Sequence, residues 1–402
     1  MRPWNFLCAA LGLAGLAEMA LAEDLRFMHF WASPGELRAV EEIRKSAARA
    51  GLTLTEAPVP GDFTDLRSAM LASVISKTPP DATQWMVGDE LEILIGSEVL
   101  IGVTSDRVDF PTVLLPEIYD AVKRPGGLTS LPLGIHIENF VVFNTEAFAK
   151  VGLPVPRSWA ELLDAAPALD RAGIQPLVMS SQSWQMQNLF PNILSSLLSA
   201  EDFRGYLNDT LPPETLRPQM EETFRILAGL RAYAPTPLPD IGHVAGAEMV
   251  SRGEAAAYGL GDFLVPELLP SAALFCTLSP GASVVLMGVD GMAFVNRHDA
   301  GKERLIEAFV YDFYMNGGAT DYVRAKGGVS VLAADQGKAP DGSCASQSQR
   351  GWNEATAHLL LSGDAWQNHL RIVGKFTADF VADGTMPPAQ AADTLLRLMG
   401  KM

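Results

Sequence analysis

The segment from Leu25 to Ala57 constrains the fold more than any other part of the chain. Leu25 to Ala32 (LRFMHFWA) is rich in β-compatible residues and predicts a strand. Ser33-Pro34-Gly35 turns the chain. Glu36 to Ala50 then predicts a helix, with Leu37, Val40, Ile43 and Ala47 on one face and Gly51 as its stop. Leu52 to Ala57 (LTLTEA) is a second strand. Strand, helix and strand within about 35 residues form a βαβ signal, which calls for an α/β architecture.

The pattern continues downstream. Thr64 to Ser76 and Asp89 to Glu98 predict helices, with Asp81 to Val87 a strand between them. Val141 to Asn144 predicts a short strand and Thr145 to Val151 a short helix. Ser158 with Glu161 three residues later predicts a capping box for the next helix. Ile174 to Met179 predicts a strand, followed by a largely helical stretch to Tyr233. Ala256 to Leu260 and Val284 to Val295 have strand character, and Leu305, Ile306, Phe309, Val310 and Phe313 form a helical stripe.

The first 22 residues are set apart from the fold. Arg2, the apolar run Phe6 to Leu16 and the A-x-A motif Ala20-Leu21-Ala22 predict a cleaved export signal over 1–22. The run is shorter than the ~20 residues of a bilayer span, and Glu18 interrupts it. The expected compartment is the periplasm. Cys8 leaves with the signal, so Cys276 and Cys344 remain. In an oxidising compartment such a pair is a disulfide candidate, two separate buried thiols being the alternative.

Charge narrows the partners. Lys+Arg 30 against Asp+Glu 47 gives a net charge of −17. Nucleic-acid binders and polybasic membrane-surface proteins neutralise phosphates with basic residues, so both classes are disfavoured. The chain has no G-x-x-x-x-G-K-[ST] loop, no G-x-G-x-x-G after the first strand, no H-E-x-x-H, no paired C-x-x-C and no G-x-S-x-G. No cofactor, metal or enzymatic activity is expected.

Several motifs in order resemble one family. His29-Phe30-Trp31-Ala32-Ser33-Pro34-Gly35-Glu36 resembles the opening strand of family 1 extracellular solute-binding proteins, in particular the glucose/mannose-binding branch serving ABC sugar importers. Ala82-Thr83-Gln84, Leu133-Gly134-Ile135-His136, Phe143-Asn144-Thr145-Glu146-Ala147-Phe148 and Pro156-Arg157-Ser158-Trp159 are similar to later stretches of that branch. So are Gly173-Ile174-Gln175-Pro176, Gln182-Ser183-Trp184-Gln185, Gly261-Asp262-Phe263, Asp290 and Lys326-Gly327-Gly328. Cys276 and Cys344 match a cysteine pair of the branch. The likeness covers essentially the whole chain beyond residue 22.

The resemblance implies a two-lobed periplasmic binding protein fold of type II kind, with three hinge crossings and a ligand cleft between the lobes. The implied lobes are 23–139 with 293–340, and 140–292 with 341–402. It also implies a monomeric sugar receptor that delivers its ligand to the permease subunits of an ABC transporter. A sugar offers apolar C–H faces and a belt of hydroxyls. Trp31 would stack on a face, while Glu36, Gln84, His136, Asp262, Asp290 and Lys326 would bond the belt. Gln182 and Trp184 would line the opposing lobe. The bland readings are that Trp31 is core, that Glu36 is a first-turn helix acid, and that His136 is a hinge residue.

Departures from the branch bear on specificity. Phe30 and Phe140 replace Trp, Gly134 replaces a polar Asn, and Ile137 and Glu138 replace small polar residues. Leu361-Ser362-Gly363 stands where the branch carries a ligand-region His. Glucose is therefore only the first expectation. A polyol or sugar acid on the same fold is an alternative, as is a secreted carbohydrate-active enzyme using Asp262 and Asp290.

Overall fold

The computed structural model describes residues 23–88, 91–270, 273–295, 300–337, 343–361 and 364–401. The expected export signal over 1–22, the expected third crossing near Pro340 and the Ser362-Gly363 position lie outside these residues. Among the described residues, eleven strands occur in the order β1 (Glu23–His29), β2 (Leu52–Pro58), β3 (Ala82–Met86), β4 (Lys123–Arg124), β5 (Gly127–Leu128), β6 (Leu131–Ile137), β7 (Phe140–Asn144), β8 (Ala257–Gly259), β9 (Leu274–Leu278), β10 (Val284–Phe294) and β11 (Ala357–Leu360).

The opening βαβ unit forms as its sequence dictates. Residues 23–29 of β1 run parallel to 52–58 of β2. The helix between them, Pro34–Arg49, buries Val40, Ile43 and Ala47, three of the four residues expected on its apolar face; Leu37 is 48 % exposed. Ser33 caps the helix and Glu36 closes the box, while Pro34 needs no amide partner at the first turn. A second helix, Phe63–Ile75, leads to β3, which lies parallel to β1 on its other side.

One strand joins the two halves of the molecule. β10 is buried along all eleven residues. Its later residues, Asp290–Phe294, run antiparallel to β3, and its first four run parallel to β11. β6 covers its other edge, with a register shift between Asp290 and Gly291. Only Glu138 and Asn139 then separate β6 from β7, the centre of a second antiparallel sheet ordered β8-β7-β9. Asn139 pins this passage to β10: its Nδ2 donates to the Val284 carbonyl at 2.9 Å, and its Oδ1 accepts from the Leu286 amide at 2.9 Å. The result is a two-lobed α/β fold. One core gathers Phe27, Val40, Ile43, Phe294 and Phe309. Another gathers Phe143, Phe148, Trp159, Phe190 and Phe224.

Three local expectations are corrected. Residues 174–179 do not form a strand: Gln175 makes a single bridge to Ala255 and Val178 donates to the Ala257 carbonyl, but Pro176 between them has no amide to continue the ladder. The helix expected from Asp89 is the short Glu92–Gly96, residues 89 and 90 being undescribed. At Ser158 half of the capping box forms. The hydroxyl accepts from the Glu161 amide at 3.1 Å, while the Glu161 carboxylate takes the Arg157 amide at 2.7 Å, one residue upstream of the cap.

Cys276 on β9 is bridged to Cys344, the first residue of the helix Cys344–Glu354, with 5.2 Å between their Cα atoms. The bridge closes a loop of sequence separation 68, which corresponds to about 4 kcal/mol on the chain-entropy model. Replacing both cysteines by serine is expected to cost about 2–4 kcal/mol of unfolding free energy, read from urea titrations as a lower midpoint with a steeper slope. An unchanged midpoint would show that the bridge does not restrict the unfolded chain.

Candidate ligand-binding site

The residues singled out from sequence meet where the two lobes face one another. On the first lobe, the capping box fixes Glu36: its Oε2 accepts from the amides of Ala32 and Ser33, both at 2.9 Å. Lys326 ends the helix Gly318–Lys326 and brings its Nζ to 3.5 Å from Glu36 Oε1. Burial pushes the Glu36 carboxyl up, but Lys326 and the two amides hold it below its ordinary value. The turn after Lys326 requires glycine. Gly328 has φ +115°, and a Cβ there would lie 2.3 Å from the Ile135 carbonyl.

His136 is the centre of the site. β6 places its ring between two buried carboxylates, with Nδ1 3.3 Å from Asp262 Oδ1 and Nε2 3.0 Å from Asp290 Oδ2. Burial and Lys326 push the imidazole toward neutrality. The two hydrogen bonds and the Asp290 charge outweigh them and raise its pKa to about 9. Asp262 also accepts from the Ile137 amide at 3.0 Å. Asp290 accepts from Tyr322 Oη at 3.0 Å and from Gln84 Nε2 at 3.5 Å. Burial raises the Asp290 carboxyl, but His136, Lys326 and Tyr322 together hold it below the usual range.

The aromatic residues divide into a layer behind the site and a wall beside it. Trp31 is buried, its ring 6.0 Å from Tyr322 and 5.9 Å from His29. In this arrangement it backs the polar network, with Lys326 Nζ 5.9 Å from its ring. Trp184, His243 and Phe263 are half-buried and stand 6.0–6.5 Å from one another. Gln182 positions this wall: its Oε1 accepts from Trp184 Nε1 at 2.9 Å and from Gln185 Nε2 at 2.8 Å, and its own amide donates to Asp240 at 2.7 Å. The structure thus gathers Gln84, His136, Asp262 and Asp290 into one hydrogen-bonded cluster, with the Glu36–Lys326 pair beside it. Trp31 lies behind it, and Trp184 with Gln182 stands across from it.

Other residues complete the site without a distinctive motif. Tyr322 and His243 are chemically ordinary in sequence. Glu138 stands out in the sequence only as a departure from the resembling branch. Its Oε2 accepts from Asn188 at 3.0 Å, and its carboxyl is raised to about 7 by burial, aided by Asp262 and Asp290 against His136 and Lys326. Glu267 reaches across the cleft from the turn Asp262–Glu267. It accepts from Ser33 Oγ at 2.7 Å and the Gly35 amide at 2.8 Å, capping the opposite lobe's helix, while Arg38 donates to the Pro266 carbonyl at 3.0 Å.

This architecture, with polar side chains facing each other across two α/β lobes, defines a binding protein that encloses a small solute. The chain belongs to the bacterial extracellular solute-binding protein family, whose model matches residues 58–266. It is 27 % identical over 281 residues to a probable sugar-binding periplasmic protein of Rhizobium meliloti (strain 1021), covering 68 % of this chain and 67 % of that one. A probable sugar-binding periplasmic protein of Brucella suis biovar 1 (strain 1330) is 26 % identical over 289 residues, covering 71 % and 67 %. Among solved structures, a chitin oligosaccharide binding protein superposes with TM-score 0.74 at 15 % identity, over 94 % of this chain and 98 % of that one. The bacterial solute receptor AcbH, described with an exclusive preference for β-D-galactopyranose, superposes with TM-score 0.75 at 14 % identity, over 93 % and 97 %. At these identities the structural likeness speaks to the fold.

Two predictions follow from the site's electrostatics and its bridging contacts. His136 is raised from 6.5 to about 9 and Glu138 from 4.5 to about 7, so each stabilises the fold below its unfolded pKa and loses that contribution as pH rises through the folded value. Unfolding free energy is expected to fall by up to about 3 kcal/mol between pH 6.5 and 9.5 on account of His136, and the His136→Gln variant should show a shallower decline. Equal slopes in urea titrations would count against a charged His136. Separately, Glu267→Ala removes the acceptor that joins the lobes, and small-angle scattering of the ligand-free protein should show a larger radius of gyration. An unchanged radius would mean that Glu267 does not hold the lobes together.

Proposed function

We propose that this protein is a periplasmic receptor that closes on a small sugar and hands it to the permease of an ABC transporter. The observation that carries this reading is the His136 network. Imidazole, carboxylate and amide groups from both lobes are hydrogen-bonded around His136, with the Glu36–Lys326 pair close enough to act on the imidazole and a half-buried aromatic wall alongside. Hydroxyl belts are read by paired acceptors and donors, and sugar C–H faces by aromatic rings. The lobes proposed are 23–139 with 293–340 and 140–292 with 341–402, moving about the passage at Glu138–Asn139 and β10 as a monomer. The names of the relatives support a sugar as the solute and the periplasm as the compartment.

Binding without turnover suits the geometry better than glycoside hydrolysis. A hydrolase of the two-carboxylate kind needs one acid held protonated. In the Asp262–Asp290 pair singled out from the sequence, Asp290 is held ionised by His136 and Tyr322, and Asp262 bonds the same imidazole, so both carboxylates are committed to one histidine. Chromogenic glycosides should therefore be left intact.

A thermal-shift panel of monosaccharides, disaccharides, polyols and sugar acids tests the reading. A bound sugar at 100 times its Kd should stabilise the protein by about 2.7 kcal/mol and shift the fluorescence of Trp184 at the cleft. No response to any sugar, or a response only to polyols or sugar acids, would sink the sugar assignment.

A further inference from the structure

The site holds more acceptors than its own donors satisfy. Asp262 Oδ2 and Gln84 Oε1 are buried without a hydrogen-bond partner among the described residues, although the other oxygen of Asp262 and the amide nitrogen of Gln84 are both engaged. Both orphans are acceptors, so the missing partner is a donor. Charge shows the same imbalance. Among the described residues the carboxyl groups of Glu36, Glu138, Asp262 and Asp290 share two cationic partners, and both are already committed: Lys326 to Glu36, and His136 to the two aspartates. Lys326 and His136 are also buried, their side chains 6 % and 5 % exposed, whereas Glu138 is half-buried.

Glu138 is placed to meet a ligand. It follows His136 by two positions on the same side of the chain, above Gly288 of β10, where a Cβ would lie 2.5 Å from Glu138 Oε1. Met86 of β3 borders the same spot. Its Oε2 is oriented by the neutral amide of Asn188 from the helix Ser183–Leu194, and its Oε1 has no donor among the described residues. The charged groups that act on it are His136, Lys326, Asp262 and Asp290, and no cation touches it directly.

Building on the sugar-receptor reading, we propose that the solute is an amino sugar whose protonated amine is taken by Glu138, while its hydroxyls supply donors to Asp262 and Gln84. An ammonium brings three donors and a positive charge, and charge-assisted bonds in a closed cleft are stronger than neutral ones. A neutral hexose offers Glu138 only a hydroxyl and leaves the surplus negative charge in place. Because the Glu138 carboxyl titrates near 7, an arriving ammonium also displaces its proton.

Isothermal titration at pH 7 of the mature protein with D-glucosamine, D-galactosamine and D-mannosamine, each against its neutral parent, tests this. At least one amine is expected to bind roughly ten-fold or more tightly than its parent, with linked proton exchange seen as a buffer-dependent enthalpy when phosphate and Tris are compared. Glu138→Gln should bring amine and parent to parity while its ligand-free melting temperature shows that the fold is kept; Glu138→Ala serves as the second variant. A parent hexose that binds as well as its amine, or a preference that survives Glu138→Gln, overturns the amino-sugar assignment and leaves the sugar reading standing. Failure of all six sugars, with a neutral sugar answering in the wider panel, also overturns it. A blank across the whole panel takes down the sugar reading itself.

Discussion

The imidazolium of His136, shared by Asp262 and Asp290, is the interaction on which the site is built. Three separate pieces of the fold supply it: β6 the histidine, β10 one aspartate, and the turn after β8 the other. Removing any one partner leaves a charge in a water-poor interior, which costs far more than losing an exposed pair. The network therefore demands that both lobes be correctly folded and correctly facing. It also explains why Tyr322 and the Ile137 amide are drawn in, since a buried carboxylate needs its remaining lone pairs met.

The same strands that present these groups carry the passage between lobes. Asn139 ties the β6–β7 connection to β10 on both its amide atoms, so the two crossings form one hydrogen-bonded ribbon. Glu267, bonded to Ser33 and Gly35 at the same helix cap that fixes Glu36, adds a further bridge between the lobes.

Much of this was legible in the sequence, and the misses have physical causes. The opening βαβ unit declared itself through a capping box, an apolar helical face and two β-rich runs, all local signals. β6 was silent, because a strand buried on both faces shows no alternation and this one contains Pro132 and Gly134. The run at 174–179 showed strand composition but not strand pairing, since Pro176 breaks the ladder. Within the site, Glu36, His136, Asp262, Asp290 and Lys326 were named through motif order. Glu267 was not: its partners lie 232 and 234 positions away, and nothing local marks a carboxylate that caps a helix on another lobe.

The departure at Gly134 shows how a substituted site keeps its chemistry. Where the resembling branch carries a polar Asn, this chain has no side chain at all. Gly134 pairs with Asp290 across the sheet, and a Cβ there would lie 3.0 Å from the ring of Tyr322. The space is taken by that phenol, which donates to Asp290 from the helix Gly318–Lys326. A polar group is thus supplied from above the sheet instead of from within it. The change has a steric consequence: a bulkier residue at 134 would push Tyr322 off Asp290 and leave that carboxylate with His136 and a distant Gln84 amide. Gly134 and Tyr322 therefore act as a pair, and the missing side chain is what lets the phenol reach the buried acid.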